Sequence, residues 1–172
     1  MDISIDVADY KLNIRAACLI VHENKMLVHR NTNKNHYAII GGRQEIGEDS
    51  EATVKREIQE EIGKEIEITG YVGTIENFFE MEGKKYHEIM FIHKAEFVKE
   101  EDKKITSTIK NIEGKDYLQY EWIDLDIIDE YPLKPKVLKE ILKEKIFPVH
   151  KINKDEPEKI MQRESYKYIG KK

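Results

Sequence analysis

The chain has 172 residues, of which 40% are hydrophobic and 37% charged, and a formal net charge of -5. That length suits one domain with a substantial core. The acidic balance argues against a broad nucleic-acid surface, which shows as a basic excess, and the longest strictly apolar run, Ala16 to Val21, is too short to span a bilayer. The N-terminus Met1-Asp2-Ile3-Ser4-Ile5-Asp6 carries acids where a secretory signal places positive charge, so a cytoplasmic location is expected. The single cysteine, Cys18, sits inside that apolar run and reads as a buried thiol rather than a nucleophile. Net negative charge does not exclude a small phosphate-bearing ligand, provided a divalent cation stands between carboxylates and phosphate.

In chain order, Ile14 to Val21 and Lys25 to Arg30 read as a hairpin joined at Glu23-Asn24. After an asparagine-rich loop, Tyr37 to Ile40 reads as a short strand ended by Gly41-Gly42. Ser50 is an N-cap candidate, Asp49 and Glu51 suit the positive end of a helix, and Gly63 is placed to stop it. The expected helix runs from Glu51 to Ile62, with Val54, Ile58 and Ile62 as its apolar stripe. Glu65 to Ile68 and Tyr71 to Phe79 look extended, and a turn at Glu82-Gly83-Lys84 leads into Tyr86 to Val98 as a second hairpin. Lys99 to Lys104 and Thr106 to Thr108 read as surface loop, Gln119 to Leu125 as strand. Pro135 is expected to open a helix through Lys145, with Val137, Leu138, Ile141 and Leu142 on one face. One domain is expected over residues 1–147, followed by a charged, irregular tail over 148–172 that packs, if at all, on the same domain. Hairpins dominate the order, without a regular β-α-β rhythm, so a mixed sheet with helices on its faces is the natural architecture.

Glu57, Glu60 and Glu61 fall at i, i+3 and i+4, which puts three carboxylates on one helix face. Like charges at this spacing repel unless something positive compensates. Mg²⁺ takes oxygen ligands, commonly a few carboxylates with water and phosphate, and such a face supplies the carboxylates. An acid-rich helix face by itself is more often simply solvated. The wider spacing changes that reading: Gly42, then Glu48, then Arg56-Glu57-Ile58-Gln59-Glu60-Glu61-Ile62-Gly63 resembles the Nudix box at all its fixed-identity positions. Chance agreement of that extent is roughly one in 10⁸ per starting point at ordinary residue frequencies. The chain departs from the box at Lys64, where the family has an apolar residue, and at Ile40, where many members have proline.

The resemblance covers roughly Ile14 to Phe147 and implies an α/β fold, the α/β/α sandwich with a mixed β-sheet of the Nudix hydrolases. By position it implies that Glu57, Glu60 and Glu61, with the carbonyl of Gly41, bind Mg²⁺, with Mn²⁺ as a substitute. Arg56 and Glu48 brace the box and orient the carboxylates, and Gly42 and Gly63 are its structural glycines. The implied reaction is attack of water at one phosphorus of a diphosphate linkage in a nucleoside triphosphate or other nucleoside-diphosphate-linked compound. The general base is assigned to Glu57 or Glu60, with Glu113, ahead of Glu121-Trp122, resembling the later-loop glutamate of some members. Arg30, Tyr37 and Phe79 are further substrate-binding candidates, and His36, Phe78 and His87 join them as aromatic lining; the adjacent His87-Glu88 is discounted as a metal pair because neighbours on a strand point to opposite faces. Phe78-Phe79-Glu80-Met81-Glu82 carries neither the proline of the ADP-ribose branch nor the tyrosine of the dinucleoside polyphosphate branch. The expected partner is a small nucleotide-like molecule, not a nucleic-acid polymer or a membrane, and a homodimer is open. The alternatives are a non-catalytic nucleotide sensor on the same fold, and an isoprenoid diphosphate isomerase, which needs a site cysteine that Cys18 does not suit.

Overall fold

A computed structural model describes residues 1–104 and 108–155. Most of Thr106 to Thr108 and the tail from residue 156 lie outside the described residues. The centre of the fold is the 13-residue strand β2 (Tyr10–His22), preceded by β1 (Ser4–Val7) and followed by β3 (Lys25–Asn31) and β4 (His36–Arg43). One edge of β2 is shared in turn by β1, β4 and β3, all antiparallel to it. The expected β2–β3 hairpin therefore closes only Val21↔Met26 and His22↔Lys25, around Glu23-Asn24 at positive φ, before β4 enters between the two strands. The other edge of β2 pairs in parallel with β6 (Lys84–Phe97).

The two extended segments expected between residues 65 and 79 are one strand, β5 (Ile66–Met81), with register shifts near Gly70 and Gly73. It joins β6 through the two-residue turn Glu82-Gly83, both at positive φ, as tight hairpins require. Lys99 to Lys104 is not plain loop, because Glu100–Lys103 forms a 3-10 turn. β7 (Ile109–Lys110) and β8 (Leu118–Asp124) finish one end of the sheet against β3, and β9 (Leu133–Lys134) lies parallel to β4. The tail was expected to be irregular from Pro148; its first part is instead β10 (Val149–Lys154), which pairs in parallel with β5 at the opposite end. Among the described residues the order across the sheet is β10-β5-β6-β2-β4-β3-β8-β7.

Each face of this mixed sheet carries a helix. Helix α1 (Ser50–Ile62) buries Val54, Ile58 and Ile62 against Ala16, Cys18, Leu27, Ile40 and Tyr120. Its N-cap is Asp49, whose carboxylate accepts the Ala52 N–H at 2.8 Å; Ser50, the expected cap, turns its hydroxyl to His93 Nε2 at 2.9 Å. Gly63 stops α1 in the left-handed region at φ 67, its N–H on the Gln59 carbonyl. Helix α2 (Leu138–Glu144) covers the other face with Leu138, Ile141 and Leu142 against Ile75, Met90 and Ile92. It is shorter than expected: Leu138, Lys139 and Glu140 first make i to i-3 bonds back to Pro135, Lys136 and Val137, so Pro135 opens a tight turn and the helix follows. Cys18 is buried, and burial pushes its thiol well above the usual range, as a structural cysteine requires. Among the described residues no helix is long and apolar enough to cross a membrane.

Candidate active site

The end of β4, the second half of α1 and the segment entering β8 border a cavity of about 550 Å³, lined among others by Arg15, His29, Gly41, Gly42, Glu57, Glu61 and Lys115. The helix supplies the acids Glu57 and Glu61, and the basic residues Arg15, Arg43 and Lys115 come from β2, β4 and the segment before β8.

Arg56 organises the acids around it. Its Nε and Nη2 form a fork on the two Glu48 oxygens at 2.8 and 3.0 Å, its Nη1 reaches Glu57 at 2.8 Å and Glu60 at 3.0 Å, and Nη2 also donates to the Arg43 carbonyl at 3.1 Å. One guanidinium thus holds three carboxylates and the end of β4 in fixed relation, which a planar five-donor group can do and an ammonium cannot. Glu48 further accepts from Thr53 Oγ1 and the Glu45 N–H, and the Arg56 fork beside it brings its carboxyl down to about 2.

Close approach explains both glycines at the end of β4. A Cβ on Gly42 would lie 2.0 Å from the Glu57 carboxyl carbon, and one on Gly41 would lie 2.1 Å from the Ala16 carbonyl oxygen. Gly42 is bare because the Glu57 carboxylate fills the space where its side chain would go. Burial raises the Glu57 carboxyl despite its Arg56 bond, and it pushes Glu61 up to about 7, opposed by Arg15 and reinforced by Glu57. Glu61 is only 5% exposed and accepts from the Tyr120 hydroxyl at 3.1 Å. Glu60 is the outlying member, nearly half exposed and engaged only with Arg56.

Sequence reasoning passed over four residues that complete the arrangement. Arg15, from β2, donates to the Gly41 carbonyl at 2.6 Å; its only signal was a charged residue opening the apolar run of that strand. Tyr120 stands beside Glu61, and Asn111 holds it, donating to its hydroxyl at 2.9 Å. Asn111 Oδ1 also accepts the N–H groups of Glu113 and Lys115, and the Ile112 N–H bonds the Glu61 carbonyl, so this loop is fastened to the end of α1. His29, opposite Tyr120 in the β3–β8 register, has an enclosed Nδ1 without a partner; burial and the charge of Arg15 bring its imidazole down to about 3, so it is neutral.

The remaining candidates are dispersed. Glu113 pairs with Lys115, which lines the cavity, at 2.7 Å and is within reach of the site through that partner. Arg30, Tyr37 and Phe79 do not line the cavity. Arg30 lies over the Tyr37 ring at 5.7 Å, Tyr37 meets Tyr131 edge-on at 5.4 Å, and Phe79 stacks on Tyr86 at 4.7 Å. His87 is taken up by Phe78, with ring centroids 4.3 Å apart.

Among the described residues no three acidic, histidine or cysteine side chains converge as a closed metal cage. The donors on the cavity wall are nevertheless hard oxygens, two carboxylates held up by burial and a carbonyl that already carries a cationic group. Such a set fits an ion like Mg²⁺, which takes one or two carboxylates and completes its shell with water and phosphate.

A family model described as the NUDIX domain matches residues 11–145. Among curated proteins there is no match. Similar folds occur in the MutT protein from Bacillus halodurans, 24% identical over 76% of this chain and 80% of that one, with a TM-score of 0.56. A NUDIX hydrolase from Nitrosomonas europaea is 15% identical over 83% of this chain and 79% of that one, with a TM-score of 0.61. An ADP-ribose pyrophosphatase from Streptococcus suis is 13% identical over 82% of this chain and 98% of that one, with a TM-score of 0.56.

Proposed function

The chain belongs to the Nudix family of pyrophosphohydrolases, and on that premise we propose that it hydrolyses a diphosphate linkage in a nucleoside triphosphate or other nucleoside-diphosphate-linked compound, with Mg²⁺ as cofactor and Mn²⁺ as a substitute. The observation that carries the proposal is that half-buried Glu57, buried Glu61 and Gly41 line one cavity, with Glu57 tied to the Arg56 hub, Glu61 to Tyr120 and the Gly41 carbonyl to Arg15. In this reading Glu57, Glu61 and the Gly41 carbonyl hold the ion and Glu60 joins from the rim. Bound there, the ion supplies charge neutralisation at phosphate oxygens and acidifies the attacking water.

The protein's own groups do the rest. Arg56 keeps Glu57 and Glu60 oriented through its shared fork, and Glu48, ionised at any working pH, keeps Arg56 in place. Arg15, Arg43 and Lys115 also line the cavity and oppose the negative charge of a bound diphosphate. Glu57 or Glu60 takes the proton of the attacking water, and Glu113 is the second candidate, placed on the loop that also carries Lys115. Residues 1–147 form the catalytic domain in this proposal, with β10 closing its sheet, and the protein works in the cytoplasm on a small molecule.

The test is phosphate or pyrophosphate release with Mg²⁺ over nucleoside triphosphates, ADP-ribose, nucleotide sugars and dinucleoside polyphosphates. Turnover that stops on chelation and drops at least about 10²-fold in Glu57→Gln is expected. Tight nucleotide binding without turnover on any of these compounds would replace the hydrolase with a sensor.

A further inference from the structure

Arg15 is a cation placed at an oxygen that the proposed ion would use. It opens the buried part of β2, ahead of Ala16, Ala17 and Cys18, and makes no ion pair among the described residues. Its recorded hydrogen bond is to the Gly41 carbonyl, at 2.6 Å, within the cavity that Glu57 and Glu61 also line. Its positive charge favours the ionised form of both carboxylates. Arg43 and Lys115, which line the same cavity, differ, since each has an acidic partner, Asp2 at 3.4 Å and Glu113 at 2.7 Å.

We propose that Arg15 is a built-in competitor of the metal ion: its guanidinium holds the Gly41 carbonyl in the metal-free protein, must leave that oxygen when the ion arrives, and so sets the affinity for metal. This deepens the reading of the site given above and rests on it. Two cations on one carbonyl oxygen repel. The apparent dissociation constant therefore equals the intrinsic one divided by the fraction of time the oxygen is free. Arg15 makes the empty site tolerable, because Glu57 and Glu61 keep a counter-charge when no ion is present. Displaced from Gly41, the same guanidinium remains at the cavity wall, where phosphate oxygens would take the carbonyl's place as its acceptors.

The experiment is a titration of Mn²⁺ into nucleotide-free protein, with free ion followed by its electron paramagnetic resonance signal, for wild type, Arg15→Met, Arg15→Gln and Arg43→Met. Thermal unfolding of each variant checks that it is folded, and two neutral replacements at position 15 prevent a packing defect in one from deciding the result. Both Arg15 variants are expected to bind Mn²⁺ about fivefold tighter or more, the ordinary scale of coupling between two occupants of one protein, with a clearly smaller gain in Arg43→Met. Unchanged or weaker binding in the Arg15 variants overturns the inference and leaves the metal reading standing. An equal gain in Arg43→Met also overturns it, since removal of any nearby positive charge would then suffice. If no variant and no wild type binds Mn²⁺, the metal reading falls and the inference with it.

Discussion

Arg56 engages all three nitrogens of its fork, with Glu48, Glu57, Glu60 and the Arg43 carbonyl as partners. Lysine has no geometry for this, so Arg56→Lys is expected to keep the fold and lower kcat by about 10²-fold, the loss that follows small displacements of reacting groups. Gly42 tests the same geometry from the other side. Its alanine variant would put a methyl 2.0 Å from the Glu57 carboxyl carbon, and because that carboxylate must move, metal-dependent turnover should fall by about 10²-fold while circular dichroism stays unchanged. Glu48 is the pH-sensitive member. Its folded value of about 2 lies below the ordinary 4.5, so its contribution to stability is complete above 4.5 and disappears as the pH falls toward 2. Against Glu48→Gln, wild type should be more stable by about 2 kcal/mol in neutral urea titrations. That difference should shrink steadily in titrations repeated between pH 5 and 2.

At the scale of elements, the seam between β5 and β10 is the most exacting. Gly73 has φ 150, and a Cβ there would lie 1.9 Å from the Val149 carbonyl oxygen. Gly73→Ala should therefore loosen β10 first, which hydrogen exchange would show as faster exchange of the Val149–Lys154 amides than of those in β2. Equal rates in both strands would mean that the seam tolerates the methyl. Asn153 anchors the same strand: it donates to Asn77 at 2.9 Å and accepts from the Val137 N–H at 3.3 Å, ahead of α2. Helix α1 was legible from sequence almost to the residue, since its stop signal, apolar stripe and carboxylate face are all local in the chain. The cap was missed by one position because Asp49 and Ser50 are both good caps, and only the distant His93 decides which is free. β10 could not be read in the same way, because four of its six residues are lysine, histidine or asparagine and its partner lies far back in the chain. The candidate site divides along the same line. Its helix residues announce themselves by spacing, while Arg15, His29, Asn111 and Tyr120 reach it only through strand register and loop closure.

At the scale of the whole molecule, the described residues form a sheet with one α-helix on each face and two separate apolar clusters, and the cavity opens beside the α1 cluster. Its positive charge at the cavity is local and set within an overall charge of -5. Polymeric nucleic acid should accordingly show no retention at physiological salt in a mobility-shift assay, because too few counterions would be released along its backbone. A salt-dependent shift with either DNA or RNA would reveal a binding surface elsewhere on the protein.

The parallel pairing of β10 with β5 joins residues 76 apart in the chain, as in the Asn77–Asn153 bond. During synthesis, β5 and β6 can meet as soon as both have emerged, but the free edge of β5 stays unpaired until residues 149–154 have cleared the ribosome. Until then the nascent domain exposes one long strand edge, so the closure of that edge comes after every other strand of the sheet has been made.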